Sequence, residues 1–118
     1  MSKKILLIDD EPNILKVLKS RLEAEKFVVI TASDGKEGLD KAKSEKPDLI
    51  ILDIIMPNKD GYTFIKEMQT DESIRRLPVI VTSAKAEMKD LFAVEGINDY
   101  IVKPFKTEEL LEKIKQLL

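Results

Sequence analysis

The chain has 118 residues, enough for one domain with one real core but not for two. With 20 basic and 22 acidic residues its net charge is -2, and that balance argues against a nucleic-acid-binding face, which needs a basic excess. Cysteine and histidine are both absent, which excludes disulfides, thiolate or imidazole metal ligands, histidine acid-base catalysis and a phosphohistidine on this chain. No apolar run approaches membrane-spanning length and no signal-peptide pattern opens the chain, so the expected compartment is cytoplasmic.

In chain order, Lys3-Lys4 leads into Ile5-Leu6-Leu7-Ile8, a short buried strand that stops at Asp9-Asp10-Glu11-Pro12. Pro12 suits a first helical turn, and the acids before it suit the helix dipole. Ile14, Leu15, Leu18 and Leu22 recur at helical spacing. Phe27 to Ile30 reads as a second strand, broken by Ser33-Asp34-Gly35. Asp34 followed by Glu37 has the form of a capping box and opens a helix that ends before Pro47. Leu49-Ile50-Ile51-Leu52 shows no polar alternation, the mark of a strand buried on both faces, and it ends at Asp53. Pro57 to Gly61 is turn chemistry. Phe64, Ile65 and Met68 define a third helix. Pro78 to Val81 is a fourth strand, ending in Thr82-Ser83-Ala84. Lys85 to Glu95 reads as a helix with Met88, Leu91 and Phe92 apolar, closed by Gly96. Asp99 to Val102 is a fifth strand, ending in Lys103-Pro104-Phe105. Thr107 is expected to cap the last helix, with Glu108 and Glu109 in its first turn and Lys113 and Lys115 near its end.

Repeated strand-helix alternation predicts a doubly wound parallel sheet of five strands with five helices on both faces. Four strands end in polar groups: Asp9 and Asp10, Asp53, Thr82 and Ser83, and Lys103. Ligand chemistry in such sheets collects at the carboxyl ends of the strands, at the switch point. If the order is 2-1-3-4-5, that point falls between the first and third strands, at Asp9, Asp10 and Asp53. Two like charges about 4 Å apart repel by roughly 4 kcal/mol at an effective dielectric near 20. One lysine offsets part of this, so a carboxyl stays protonated or a cation binds. Hard oxygen donors alone point to magnesium, manganese or calcium, and a small open site suits magnesium. With a phosphate there, Lys103 neutralises phosphoryl oxygens, Asp53 is a candidate nucleophile at phosphorus, and Ser83 is a hydroxyl donor.

Four pieces carry a family resemblance: Ile8-Asp9-Asp10-Glu11-Pro12; Asp53-Ile54-Ile55-Met56-Pro57 with Asp60-Gly61; Pro78 to Ala84; and Asp99 to Phe105. Over nearly its full length the sequence resembles a receiver domain of two-component response regulators. The resemblance implies one receiver domain over residues 1–118 with a flavodoxin-like sheet of order 2-1-3-4-5. It implies Asp53 as phosphoacceptor, and Asp9 (through water), Asp10, Asp53 and the backbone carbonyl of Ile55 as ligands of magnesium, with manganese as a substitute. Lys103, Ser83 and the backbones of Ala84 and Ile54 are implied as phosphate contacts. Ser83, rather than Thr82, is implied as the switch hydroxyl with Tyr100 as its aromatic partner, and the Lys103–Pro104 bond as cis. The implied phosphodonor is a phosphohistidine on a sensor histidine kinase or a histidine phosphotransfer protein. The implied readout is a downstream protein bound near the fourth helix, fifth strand and fifth helix. No direct contact with nucleic acid or membrane is expected, nor catalysis beyond the domain's own phosphorylation and dephosphorylation. The protein is expected as a monomer or a phosphorylation-dependent dimer. The resemblance also implies that Ile55 and Lys85 flank the phosphate and tune its lifetime, and Gly96-Ile97-Asn98 replaces the family's more usual Gly-Ala pair.

Taken singly these residues have plainer readings: Asp9 and Asp10 as helix caps, Asp53 as a turn residue, Lys103 as a solvated lysine, Tyr100 as core. Other functions also compete. A phosphatase of the haloacid-dehalogenase type would want an aspartate at position 55, where this chain has Ile55. A flavodoxin-like cofactor binder would want an anion-welcoming loop after the first strand, where Asp9-Asp10-Glu11 repels one. A degenerate receiver used only for docking would lack some of the acids. A stand-alone receiver is expected, since the sequence given ends with its last helix, although a receiver cut from a larger regulator has the same sequence.

Overall fold

A computed structural model describes residues 2–54, 60–97 and 99–118. Five parallel strands form one sheet: β1 (Lys4–Ile8), β2 (Val28–Ala32), β3 (Leu49–Asp53), β4 (Val79–Ser83) and β5 (Asp99–Val102). Their order is β2-β1-β3-β4-β5, so the crossover reverses between β1 and β3. The helices are α1 (Pro12–Ala24), α2 (Gly35–Glu45), α3 (Gly61–Gln69), α4 (Lys89–Val94) and α5 (Thr107–Leu117), with a single 3-10 turn, Ala86–Met88, before α4.

Strand alternation divides the core into two layers. Leu6, Ile8, Ile50, Leu52, Val81 and Tyr100 face α2, α3 and α4 and pack on Ala42, Phe64, Met68 and Phe92. Ile5, Leu7, Leu49, Ile51 and Ile80 face α1 and α5 and pack on Leu18, Leu22, Leu110 and Ile114. Burial on both faces explains why β1, β3 and β4 read as unbroken apolar runs. β2 lies at the sheet edge, and its Val28 is exposed.

Local chemistry sets the helix starts. Pro12 is the first helical residue of α1. Asp34 caps α2 by accepting the Glu37 N–H at 2.8 Å, while the Glu37 carboxylate reaches back to Ser33 rather than to the cap residue. Asp60 caps α3 by accepting the Thr63 N–H at 2.8 Å.

Three sequence expectations need correction. β2 runs two residues further than Ile30, because Thr31 and Ala32 pair with Leu7 and Ile8. The helix expected over Lys85–Glu95 is a 3-10 turn followed by six α-helical residues; Phe92 is buried, Met88 packs on the core while partly exposed, and Leu91 faces solvent. Thr107 is the first residue of α5 rather than its cap; Lys106 holds the cap position without a side-chain bond.

Candidate functional site

The site lies at the carboxyl edge of the sheet, on either side of the crossover. β1 delivers Asp9 one residue beyond its end, and β3 delivers Asp53 as its last residue. Asp9, Asp10 and Asp53 each offer a carboxylate oxygen, and these oxygens lie within 4.8 Å of one another. Asp9 and Asp53 are buried, and Asp10 is exposed. Lys103, just past β5, reaches across β4 to them. Its Nζ stands 3.1 Å from Asp9 Oδ2 and 3.6 Å from Asp53 Oδ1. Asp9 Oδ1 accepts the Glu11 N–H at 3.0 Å, so both oxygens of Asp9 already have donors.

The electrostatics follow from this crowding. Burial, then the neighbouring Asp9 charge, pushes the Asp53 carboxyl up to about 6, against a partial pull downward from Lys103. Burial alone would depress the Lys103 ammonium, but the Asp53 and Asp9 charges outweigh it and raise its pKa. Among the described residues no buried side-chain polar atom lacks a hydrogen-bond partner. The tension here is therefore excess negative charge rather than missing hydrogen bonds.

Backbone packing fixes Asp53 in place. A Cβ on Gly61 would stand 2.7 Å from Ile54 Cα, nearer than real Cβ atoms come, and the Gly61 N–H donates to the Ile54 carbonyl at 2.7 Å. Only glycine lets α3 begin this close to the end of β3. The Ile54 N–H donates to the Thr82 carbonyl at 3.3 Å, which ties the same strand end to β4.

Ser83 ends β4 and is buried; Ala84 beside it is exposed. Ser83 Oγ accepts the Lys85 N–H at 3.0 Å, and the buried Tyr100 donates its hydroxyl to the Lys85 carbonyl. The two side chains therefore grip opposite sides of one residue. The Lys103 N–H donates to the Ser83 carbonyl at 2.7 Å, and the Lys103–Pro104 bond is cis. Ile55, expected as a carbonyl ligand, lies outside the described residues. The sequence reading passed over Gly61 as a spacer between two packed backbones and passed over Glu95. A glycine directly after a capping aspartate hinted at the first; nothing in local pattern marks the second.

A sheet of this order carrying acids at its switch point and a lysine beside them has clear relatives. Residues 5–115 match the model of the response regulator receiver domain.

The chain belongs to that family.

The receiver is 42% identical to the alkaline phosphatase synthesis transcriptional regulatory protein PhoP of Bacillus subtilis, over 100% of this chain and 49% of that protein. It is 39% identical to the response regulator ArlR of Staphylococcus saprophyticus, over 98% of this chain and 52% of that one. The chain thus spans about half the length of these curated relatives. Among solved structures, the chemotaxis response regulator CheY4 of Vibrio cholerae superposes with a TM-score of 0.92 at 30% identity, covering 100% of both chains. The receiver domain of sensor histidine kinase PA1611 from Pseudomonas aeruginosa, described with a magnesium ion coordinated in its active site cleft, superposes with a TM-score of 0.89 at 31% identity, covering 99% of this chain and 98% of that one. This protein is accordingly a receiver domain of two-component response regulators. Among the described residues no helix is long and apolar enough to cross a membrane.

Proposed function

We propose that the receiver takes a phosphoryl group onto Asp53 and uses Ser83 and Tyr100 to report it. The observation that carries this reading is the three-carboxylate cluster with the Lys103 amine 3.1 and 3.6 Å from two of its members. An Asp53 oxygen attacks phosphorus in line, and the O–P bond forms as the bond from phosphorus to the donor's imidazole nitrogen breaks, its electron pair leaving with the ring. The Lys103 ammonium offsets charge on the phosphoryl oxygens and holds Asp9 in place. The donor set fits magnesium: carboxylates only, at one point, with excess charge to neutralise. Asp10 and Asp53 would be direct ligands, whereas Asp9, whose oxygens already accept from Glu11 and Lys103, would act through water. Bound there, magnesium supplies charge neutralisation and orientation for phosphoryl oxygens.

Once Asp53 carries the phosphate, Ser83 turns its hydroxyl to it and gives up the Lys85 N–H. That frees one side of the grip on Lys85, and the other side, Tyr100, follows into the space vacated. The phosphodonor is a phosphohistidine on a sensor kinase or histidine phosphotransfer protein. An apolar groove beside the site, lined by Ile14, Val17, Pro104 and Phe105, suits docking of that donor. The relatives named as transcriptional regulators favour control of a DNA-binding activity as the output; the mass of the native protein isolated from its source cells distinguishes that from a stand-alone receiver.

The test is intact-mass analysis after incubation with magnesium and acetyl phosphate. Wild type should gain one phosphoryl group and Asp53→Asn none. Equal labelling of the two would refute the assignment.

A further inference from the structure

α4 is only six residues long and buries a single side chain, Phe92, while Leu91 and Val94 are 42% and 81% exposed. Met88 before it and Ile97 after it add partly buried apolar contact. Polar ties hold both ends as well. Ahead of α4, Tyr100 donates to the Lys85 carbonyl. Behind it, Glu95 is gripped by three residues of α3. Its carboxylate receives Lys66 Nζ at 2.9 Å and the Tyr62 hydroxyl at 3.4 Å, and its carbonyl accepts from Gln69 Nε2 at 2.7 Å.

Tyr62, Lys66 and Gln69 share one face of α3. Lys66 Nζ also lies 5.6 Å from the centre of the Tyr62 ring, and that ring meets Phe92 edge-on at 5.8 Å. The Glu95 side chain is only 14% exposed while that of Lys66 is 51% exposed, so the pair is screened from the lysine side and sheltered on the carboxylate side. At its other end α3 is seated on Ile54 through Gly61. A continuous set of contacts therefore joins the strand end carrying Asp53 to the far end of α4.

We propose that Glu95 is a latch: it holds α4 on α3 in the unphosphorylated receiver and opposes the rearrangement that Ser83 and Tyr100 begin at the Lys85 end. The opposing role rests on the Ser83–Tyr100 switch proposed above; the latch itself does not. Opening the latch raises the fraction of molecules in the arrangement that phosphorylation selects, and an equilibrium shift of that kind shows as faster phosphorylation.

The experiment compares wild type, Glu95→Gln, Lys66→Met and the swapped pair Glu95→Lys with Lys66→Glu. Amide hydrogen exchange, measured without phosphodonor, should quicken about two- to fivefold over α4 in each single variant, the range expected for losing an ion pair of this kind, with β1 and β3 unchanged. The swapped pair should return toward wild type. The initial rate of magnesium-dependent phosphorylation by acetyl phosphate should rise about two- to fivefold in the single variants. Unchanged α4 exchange in both single variants overturns the latch. Quickened exchange with an unchanged phosphorylation rate overturns its opposing role. If wild type is not labelled at all, the phosphoacceptor reading fails while the exchange result still decides whether the latch exists.

Discussion

Replacing Asp53 with asparagine should make the metal-free protein more stable, although it removes the proposed phosphoacceptor. The Asp53 carboxyl is raised from an ordinary 3.8 to about 6 by burial and by Asp9, with Asp10 adding to the effect. A raised carboxyl pKa means that the folded state binds the proton more tightly than the unfolded chain does. Stability contributed by this group is therefore present at low pH and lost as pH rises from about 4 to about 6. Above that window the charged carboxylate costs the fold up to about 3 kcal/mol, from the gap between those two values at roughly 1.4 kcal/mol per pH unit. Asparagine keeps the shape but forgoes the Lys103 interaction, so we expect a net gain of about 1–3 kcal/mol at neutral pH and little gain near pH 4. Urea unfolding followed by circular dichroism, on both proteins in chelator across this range, reads the difference directly. The gain should open between about pH 4 and 6 and then level off. Magnesium added to wild type at neutral pH should close most of it. A difference independent of pH, or a variant less stable at neutral pH, would refute the account of the site as an unrelieved cluster of charge.

Magnesium at a hundredfold excess over its Kd should stabilise wild type by about 2.7 kcal/mol, seen as a higher Tm, and Asp10→Asn should lose most of that rise. Gly61→Ala forces backbone apart at the 2.7 Å approach to Ile54; it should cost about 1–3 kcal/mol in urea unfolding and slow labelling of Asp53, and an unaffected variant would contradict the seating of α3. Tyr100→Phe deletes the bond to the Lys85 carbonyl, should cost about 1 kcal/mol, and should leave phosphorylation intact while weakening the response of α4 amide exchange to it. Ser83→Ala should accept phosphate yet show no phosphorylation-dependent change in α4 exchange; a response equal to wild type counts against the switch.

Much of this fold was legible because parallel strands buried on both faces leave an unmistakable mark. Ile5 to Ile8 and Leu49 to Leu52 are apolar without alternation, and the polar residue that ends each run marks a strand exit. That is also why the acids stood out: Asp53 is the last residue of β3 and Asp9 the first beyond β1, each the charged group that closes an apolar run. The edge strand was harder, since Thr31 and Ala32 pair with β1 without an apolar signature. The α4 region misled for another reason. Leu91 and Phe92 look equivalent in sequence, but neighbours on a helix point about 100° apart, and here Phe92 turns inward and Leu91 outward.

Local sequence by itself determined which segments become strands and helices and which residue types can meet a divalent ion, because propensity, capping and burial act over a few neighbouring positions. Distances between carboxylates, the choice of Asp9 over Asp53 as the nearer partner of Lys103, the shared grip of Ser83 and Tyr100 on Lys85, and the hold of α3 on Glu95 were decided only by tertiary structure. Most of these join residues well separated along the chain, and such contacts depend on strand order and on how closely one backbone can approach another, as Gly61 and Ile54 do.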